Sequence, residues 1–184
     1  MEDLELLGPH IRIRRSRIDD SEATFRWFAD AGVTEYLPLA GERSLPMKDI
    51  VEFLTQASRD DAPNLSVGIE LLAGRLIGCG GLRNILHADS AEISVVIGER
   101  DVWGFGYGRE AMQELLQFGF ERLHLTMIWL VVRAENARAL RLFTRLGFVV
   151  TETLVAAAVV GGIPRDKFRM QLAREAWRDG QTDS

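Results

Sequence analysis

Residues 91–108 read AEISVVIGERDVWGFGYG and run on into REAMQELLQFGFERL. Residues 93–97 are largely β-branched and almost unbroken in apolar character, which is the pattern of a short buried strand. From 109 to 123, Met112, Leu115, Leu116, Gly119, Phe120 and Leu123 recur at helical spacing. A strand therefore feeds a glycine-dense loop that opens a helix. Gly104, Gly106 and Gly108 remove side chains where the main chain turns tightly, so an anion can approach N–H groups that have no acceptor within the helix. Two readings follow: an anion site, most simply for a phosphate, or a plain flexible turn.

A second stretch, MIWLVVRAENARALRLFTRLGFVV from residue 127, repeats the arrangement. Residues 127–132 form a second buried strand. Asn136 stands as an N-cap, Ala139, Leu142, Phe143 and Leu146 make the apolar stripe of a helix, and Gly147 closes it. Two strand-loop-helix units in succession fit a nucleotide-bearing cofactor lying across adjacent strand ends. A dinucleotide-binding Rossmann domain is the rival, with Glu135 where a ribose-binding acid could sit. Its Gly-x-Gly-x-x-Gly spacing demands glycine at position 109, which is Arg109. Such a domain also needs several parallel units, whereas hairpins surround the two found here.

The rest of the chain supplies those hairpins. Residues 11–18 alternate apolar and basic side chains as a half-buried strand; Asp19 and Glu22 have capping-box spacing for a helix carrying Thr24, Trp27, Phe28 and Ala31. Residues 30–46 are a polar loop containing Tyr36, and Pro46 opens a helix with Met47, Ile50, Val51, Leu54 and Ala57. Strands at 65–72 and 76–82 flank Ala73-Gly74-Arg75 as a hairpin; residues 83–90 form a loop. Residues 148–160 and 163–172 make a last hairpin around Gly161-Gly162.

A net charge of −5 with arginines interleaved among acids argues against a dedicated nucleic-acid binder. It suits a cationic small partner better. The single cysteine, Cys79, excludes an intrachain disulfide, and His10, His87 and His124 lack metal-ligand spacing, so no metal is expected. No basic-then-apolar start and no membrane-length apolar run is seen, so a cytoplasmic location without membrane attachment is the expectation.

The phrases Trp103-Gly-Phe-Gly106-Tyr-Gly108 and Asn136-Ala-Arg-Ala139-Leu-Arg-Leu142-Phe143-Thr-Arg-Leu-Gly147-Phe148 resemble the GCN5-related N-acetyltransferases, GNAT for short. That family uses Gln/Arg-x-x-Gly-x-Gly/Ala and then Asn-x-x-Ala-x-x-Leu-Tyr-x-x-x-Gly-Phe. Trp103 replaces the usual Gln or Arg. This looks like the branch holding ribosomal-protein alanine and spermidine acetyltransferases, as does the turn from Gly161 to Asp166. Phe143 replaces the Tyr that usually returns a proton to the departing thiolate.

The resemblance implies one α/β (α+β) domain over residues 1–184, with flexible ends at 1–10 and 178–184. Its element order is β-α-α-β-β-β-α-β-α-β-β, a mixed, mostly antiparallel seven-stranded sheet flanked by about four helices. It implies acetyl-CoA as co-substrate, held by main-chain groups of Val95 and Ile97 along the pantetheine. Trp103, Gly104, Gly106, Gly108 and Arg109 would lie at the diphosphate, with Asn136 and Phe143 near the pantetheine arm and thioester. Arg100 is a further phosphate candidate or a surface side chain. The acceptor is a small-molecule or peptide amine: a peptide N-terminus, a polyamine, an aminoglycoside or an amino-sugar. A CoA-binding module without turnover is the alternative, and a homodimer is compatible with either.

Attack needs a neutral amine, whereas a free alkyl amine has a pKa of about 10. Glu92, at the start of the central strand, is the candidate base, or else a surface carboxylate; Glu99, Asp101 and His87 stand behind it. Main-chain N–H groups of residues 94–97 would meet the oxyanion. Tyr36 is a candidate hydroxyl to replace the missing Tyr. Trp27, Tyr36 and Trp129 can either stack on substrate or pack, and Cys79 reads as a small buried hydrophobe rather than a nucleophile.

Overall fold

The computed structural model describes residues 4–37, 45–59, 64–85 and 89–182. Its strands are β1 (Glu5–Leu7), β2 (Ile11–Arg15), β3 (Leu65–Leu71), β4 (Leu76–Arg83), β5 (Ser90–Ile97), β6 (Met127–Arg133), β7 (Val149–Val160) and β8 (Ile163–Ala173). They form one eight-stranded sheet in the order β1-β2-β3-β4-β5-β6-β8-β7. The helices are α1 (Ser21–Ala29), α2 (Ala31–Thr34), α3 (Met47–Ala57), α4 (Tyr107–Gln117), α5 (Ala137–Arg145) and α6 (Arg174–Thr182).

The expected order of elements is found, with additions. The eighth strand is β1, whose three residues pair antiparallel with Arg12, Ile13 and Arg14 of β2. Three residues are too few for a periodic signal, so pairing with β2 carries information that the local pattern lacks. The two helices beyond the expected four are α2, a single turn capped by the Asp30 carboxylate on Gly32 N and Val33 N, and α6 at the other end. In α6, Trp177 packs on Phe120 with ring centroids 5.2 Å apart. The alternating strand predicted over residues 11–18 stops at Arg15, because Asp20 is drawn in by Arg14 and the chain turns through a 3₁₀ segment, Ile18–Asp20.

Every neighbouring pair is antiparallel except β5 and β6, which excludes a doubly wound dinucleotide fold. That parallel pairing is brief: Ser90, Ala91 and Glu92 match Met127, Ile128 and Trp129. Beyond Glu92 the two strands diverge, β6 staying with β8 as far as Arg133. Parallel strands exchange hydrogen bonds only where they run side by side, so the splay leaves the β6-facing main chain of residues 93–97 without a sheet partner.

Helix α4 is fixed over the sheet by two means. Met112, Leu115 and Leu116 are fully buried, each contributing about 1.5–3 kcal/mol by leaving water. Glu110 accepts from His10 N at 2.7 Å and from Ile11 N at 3.1 Å, joining the first turn of α4 to the start of β2. The glycine loop is therefore held at both ends, by β5 and by its helix.

Candidate active site

Two cavities open beside β5, and its alternation distributes side chains between them. The first, of about 610 Å³, is lined by Val95, Ile97, Trp103, Gly104, Gly106, Gly108, Arg109, Asn136 and Phe143. The structure thus brings together the positions singled out for the cofactor, Arg100 excepted. Tyr36 lines the same cavity, as do Arg138, Arg141 and Arg145. Those arginines were missed. Their spacing of three and four residues along α5 puts them on one face, and it was readable as a cationic row once the helix was recognised.

Gly104 and Gly106 have φ of +92° and +91°, and a Cβ built on either meets nothing within 4 Å. Space alone would admit a side chain; the left-handed main chain is what requires glycine. Gly106 is the N-cap of α4, so the N–H groups of Tyr107 and Gly108 point into the loop without intrahelical acceptors. The Arg109 N–H differs from expectation, since it donates to Gly106 O at 2.9 Å and belongs to the turn. An extended anion such as a diphosphate fits this cradle, with the helix dipole and the α5 arginines adding favourable potential.

Trp103 does something no sequence pattern indicated. Its Nε1–H donates to Ile97 O at 2.8 Å, tying the loop to the last residue of β5. Arg100 and Arg138 flank its ring at 5.4 and 5.6 Å from the centroid. Arg100 does not itself line the cavity. Asn136 acts as the N-cap of α5, its Oδ1 accepting from Ala139 N at 3.1 Å. Phe143 packs against Phe148, ring centroids 6.0 Å apart.

The wall opposite is the turn after α2. Arg133 donates to Glu35 O at 2.7 Å, is held by Glu135 at 2.8 Å, and lies 5.1 Å from the Tyr36 ring centroid. Glu135 is therefore a structural partner of Arg133, with no role like that of a ribose-binding acid. The hydrogen bond from Tyr36 to Glu35, followed by the Glu35 charge and some desolvation, raises the phenol above its ordinary pKa. It stays protonated at neutral pH.

The second cavity, about 510 Å³, lies under α1 and α3 against β3, β4 and β5, with Trp27, Ser94 and Cys79 in its wall. Trp27 is 2% exposed and its Nε1–H donates to Glu99 Oε1 at 2.9 Å, so it is a fixed wall and not a free stacking platform. Desolvation, with a smaller contribution from the Asp20 charge, pushes the Cys79 thiol up to about 12. A thiol held protonated is no nucleophile. Trp129 is covered by Arg169, 4.3 Å from its centroid.

Glu92 lines neither cavity. Its Oε1 accepts from Arg83 Nη2 at 3.0 Å, and Arg83 reaches the second cavity. Glu99 and Asp101 are bound by Arg75 at 3.0 and 2.7 Å. Desolvation alone would raise Glu99, but the hydrogen bonds and charges of Trp27, Arg26 and Arg75 outweigh it and hold the carboxyl below its ordinary range. For Asp101, the Arg75 hydrogen bond has the same effect. Both are structural ion pairs. His87 lies outside the described residues. Among the described residues, no three His, Cys, Asp or Glu side chains cluster as metal ligands, and no helix is long and apolar enough to cross a membrane.

A strand, a left-handed glycine cradle and a cationic helix around a splayed parallel pair gather on one cavity the main-chain donors and cations that a phosphate-bearing ligand needs. The Acetyltransferase (GNAT) domain family matches residues 10–149, and the chain belongs to that family. It is 26% identical over 145 residues to an uncharacterised N-acetyltransferase, p20, of Bacillus licheniformis, covering 78% of this chain and 81% of that one. It is 31% identical over 94 residues to a spermidine N(1)-acetyltransferase of Vibrio cholerae, spanning about half of each: 51% and 53%. Among solved structures, the Vibrio cholerae spermidine N-acetyltransferase in complex with CoA and spermine superposes with a TM-score of 0.81 at 24% identity, over 93% of this chain and 99% of that one. A GNAT-family acetyltransferase from Bacillus anthracis gives 0.80 at 20% identity, over 94% and 99%. The fold and the class of enzyme, an acetyltransferase, follow from these matches.

Proposed function

We propose that this acetyltransferase uses acetyl-CoA to acetylate a primary amine by direct attack on the thioester. The observation that carries the reading is the convergence of the glycine cradle, the α5 arginines and the β5 splay on one cavity that meets the second at Val96 and Leu37. The first cavity suits the coenzyme and the second the amine, so the two reactants would face one another at Val96.

The amine lone pair forms the C–N bond, the C–S bond breaks with its electron pair passing to sulfur, and the amine proton goes to a base or to water. Main-chain N–H groups in the splay would meet the carbonyl oxygen as charge develops on it. Glu92, held in place by Arg83, is the proposed base, acting through water since it lies outside both cavities. Phe143 has no proton to give. Tyr36, on the same cavity and protonated, is the proposed donor to the leaving thiolate, a modest task because thiols have pKa values of about 8.5.

The test is thiol release from acetyl-CoA against a panel of amines, run beside calorimetric titration with CoA. Glu92→Gln is expected to lower kcat by about a hundredfold. An unchanged kcat removes Glu92 as base. Tight CoA binding with no acceptor-dependent thiol would instead favour a binding module.

A further inference from the structure

We propose, building on the acetyl-transfer reading, that the acceptor is a small primary monoamine carried on an uncharged apolar group and seated in the cavity beneath α1 and α3. Trp27, Phe28, Phe53, Leu54, Leu65 and Val96 supply much of the wall of this 510 Å³ space. That volume is the size of a small-molecule site, and an apolar lining rewards an apolar ligand.

Among the described residues the charges lining the cavity are paired. Asp20 and Arg83 are the only ionisable Asp, Glu, Lys or Arg side chains lining it among the described residues. Asp20 Oδ2 accepts from Arg14 Nη1 at 2.9 Å and from Arg17 N at 2.8 Å, while Oδ1 accepts from Arg14 Nη2 at 2.7 Å. Both oxygens face an arginine that is itself buried. Arg83 is paired with Glu92. A polyamine would bring at least one ammonium that stays charged while its partner nitrogen reacts, and a buried charge without a counter-ion is costly. No carboxylate free of an arginine lines this cavity among the described residues. The Vibrio enzyme crystallised with spermine therefore shares the fold of this chain without dictating its acceptor.

The same lining also helps the chemistry. Moving an amine from water into apolar surroundings disfavours its ammonium form, lowering its pKa toward neutrality. A monoamine placed at Val96 thus arrives partly as the nucleophile, and less is asked of a base lying outside the cavity. Cys79, protonated, leaves that wall uncharged.

The experiment measures kcat/KM by thiol release for hexylamine, phenethylamine and spermidine with the full chain, with CoA affinity measured in parallel. The apolar monoamines are expected to exceed spermidine by about tenfold or more, the discrimination a pocket of this kind can supply. Phe53, 59% exposed at the cavity, can be replaced without burying a charge. Phe53→Glu should narrow the preference by about tenfold by adding a carboxylate. Spermidine equal or superior, apolar amines ignored by a protein that binds CoA, or a preference unmoved by Phe53→Glu each overturns this proposal alone. Absence of CoA binding overturns the acetyl-transfer reading as well.

Discussion

The two cavities beside β5 are built on different principles. The proposed coenzyme side is main chain and cations: left-handed Gly104 and Gly106, the opening turn of α4, and Arg138, Arg141 and Arg145. The proposed amine side is side-chain surface drawn from α1, α3, β3, β4 and β5, with the ionic groups among its described residues paired off. The first arrangement suits a ligand of constant chemistry, because amide groups cannot be varied by substitution. The second can change with each substitution on any of five elements. Constancy on one side and variability on the other is what a transferase with one donor and many conceivable acceptors requires.

The largest expected effect tests whether the amine side is neutral by pairing. Asp20→Ala removes the carboxylate facing Arg14, which is 7% exposed, and should cost about 3–5 kcal/mol of stability in urea unfolding. A negligible change would mean that Arg14 is satisfied by Glu70 alone and that Asp20 is dispensable to the pairing. Next comes the coenzyme cradle. Gly106→Trp places a side chain on a φ of +91° and should weaken CoA binding by about a hundredfold in calorimetry. Unaltered affinity would place the diphosphate elsewhere and erase the contrast between the two sides. Trp103→Phe keeps the ring between its arginines but deletes the 2.8 Å bond to Ile97 O, worth about 1 kcal/mol, and should weaken CoA binding about fivefold. A larger loss would make the indole N–H itself part of the coenzyme site.

The smallest effect concerns pH. Desolvation alone would raise Glu70, but hydrogen bonds from Arg12 and Arg14 and their charges prevail and hold its carboxyl below the ordinary range. The unfolded chain then binds this proton more readily than the folded one. The contribution of Glu70 is fully present above the unfolded carboxylate value of about 4.3 and is lost as pH falls through the folded value. Glu70→Gln should therefore flatten the acid limb of the stability profile, measured by thermal unfolding between about pH 5 and 2. An acid limb as steep as before would assign it to other carboxylates.

What could be read from the chain follows the same division. The β5-loop-α4 unit and the Asn136 cap were legible because glycine positions and an N-cap are local demands of the main chain, written at fixed spacing. Features of the second cavity were not, since Ser94, Phe53 and Cys79 lie far apart in sequence and come together only in the fold. Trp103 was visible as a departure from the family pattern, but its bond to Ile97 O depends on how the loop folds back. The short strand β1 and the single turn α2 have too few residues for periodicity, and Glu92 was placed by its strand position without sight of Arg83. Composition pointed toward a cation through the net charge of −5, whereas arginine pairs neutralise the carboxylates at and beside the second cavity among its described residues.

Gly98 has a consequence for how such an enzyme could be retooled. A methyl group on it would sit 2.1 Å from the Trp27 ring, so the indole rests directly on the residue that follows β5, while the neighbouring Glu99 grips its nitrogen. Enlarging the pocket from beneath would disturb the strand that lines the first cavity. New acceptor preferences are therefore most cheaply reached from the α3 rim, where Phe53 can be exchanged while the foundation is left undisturbed.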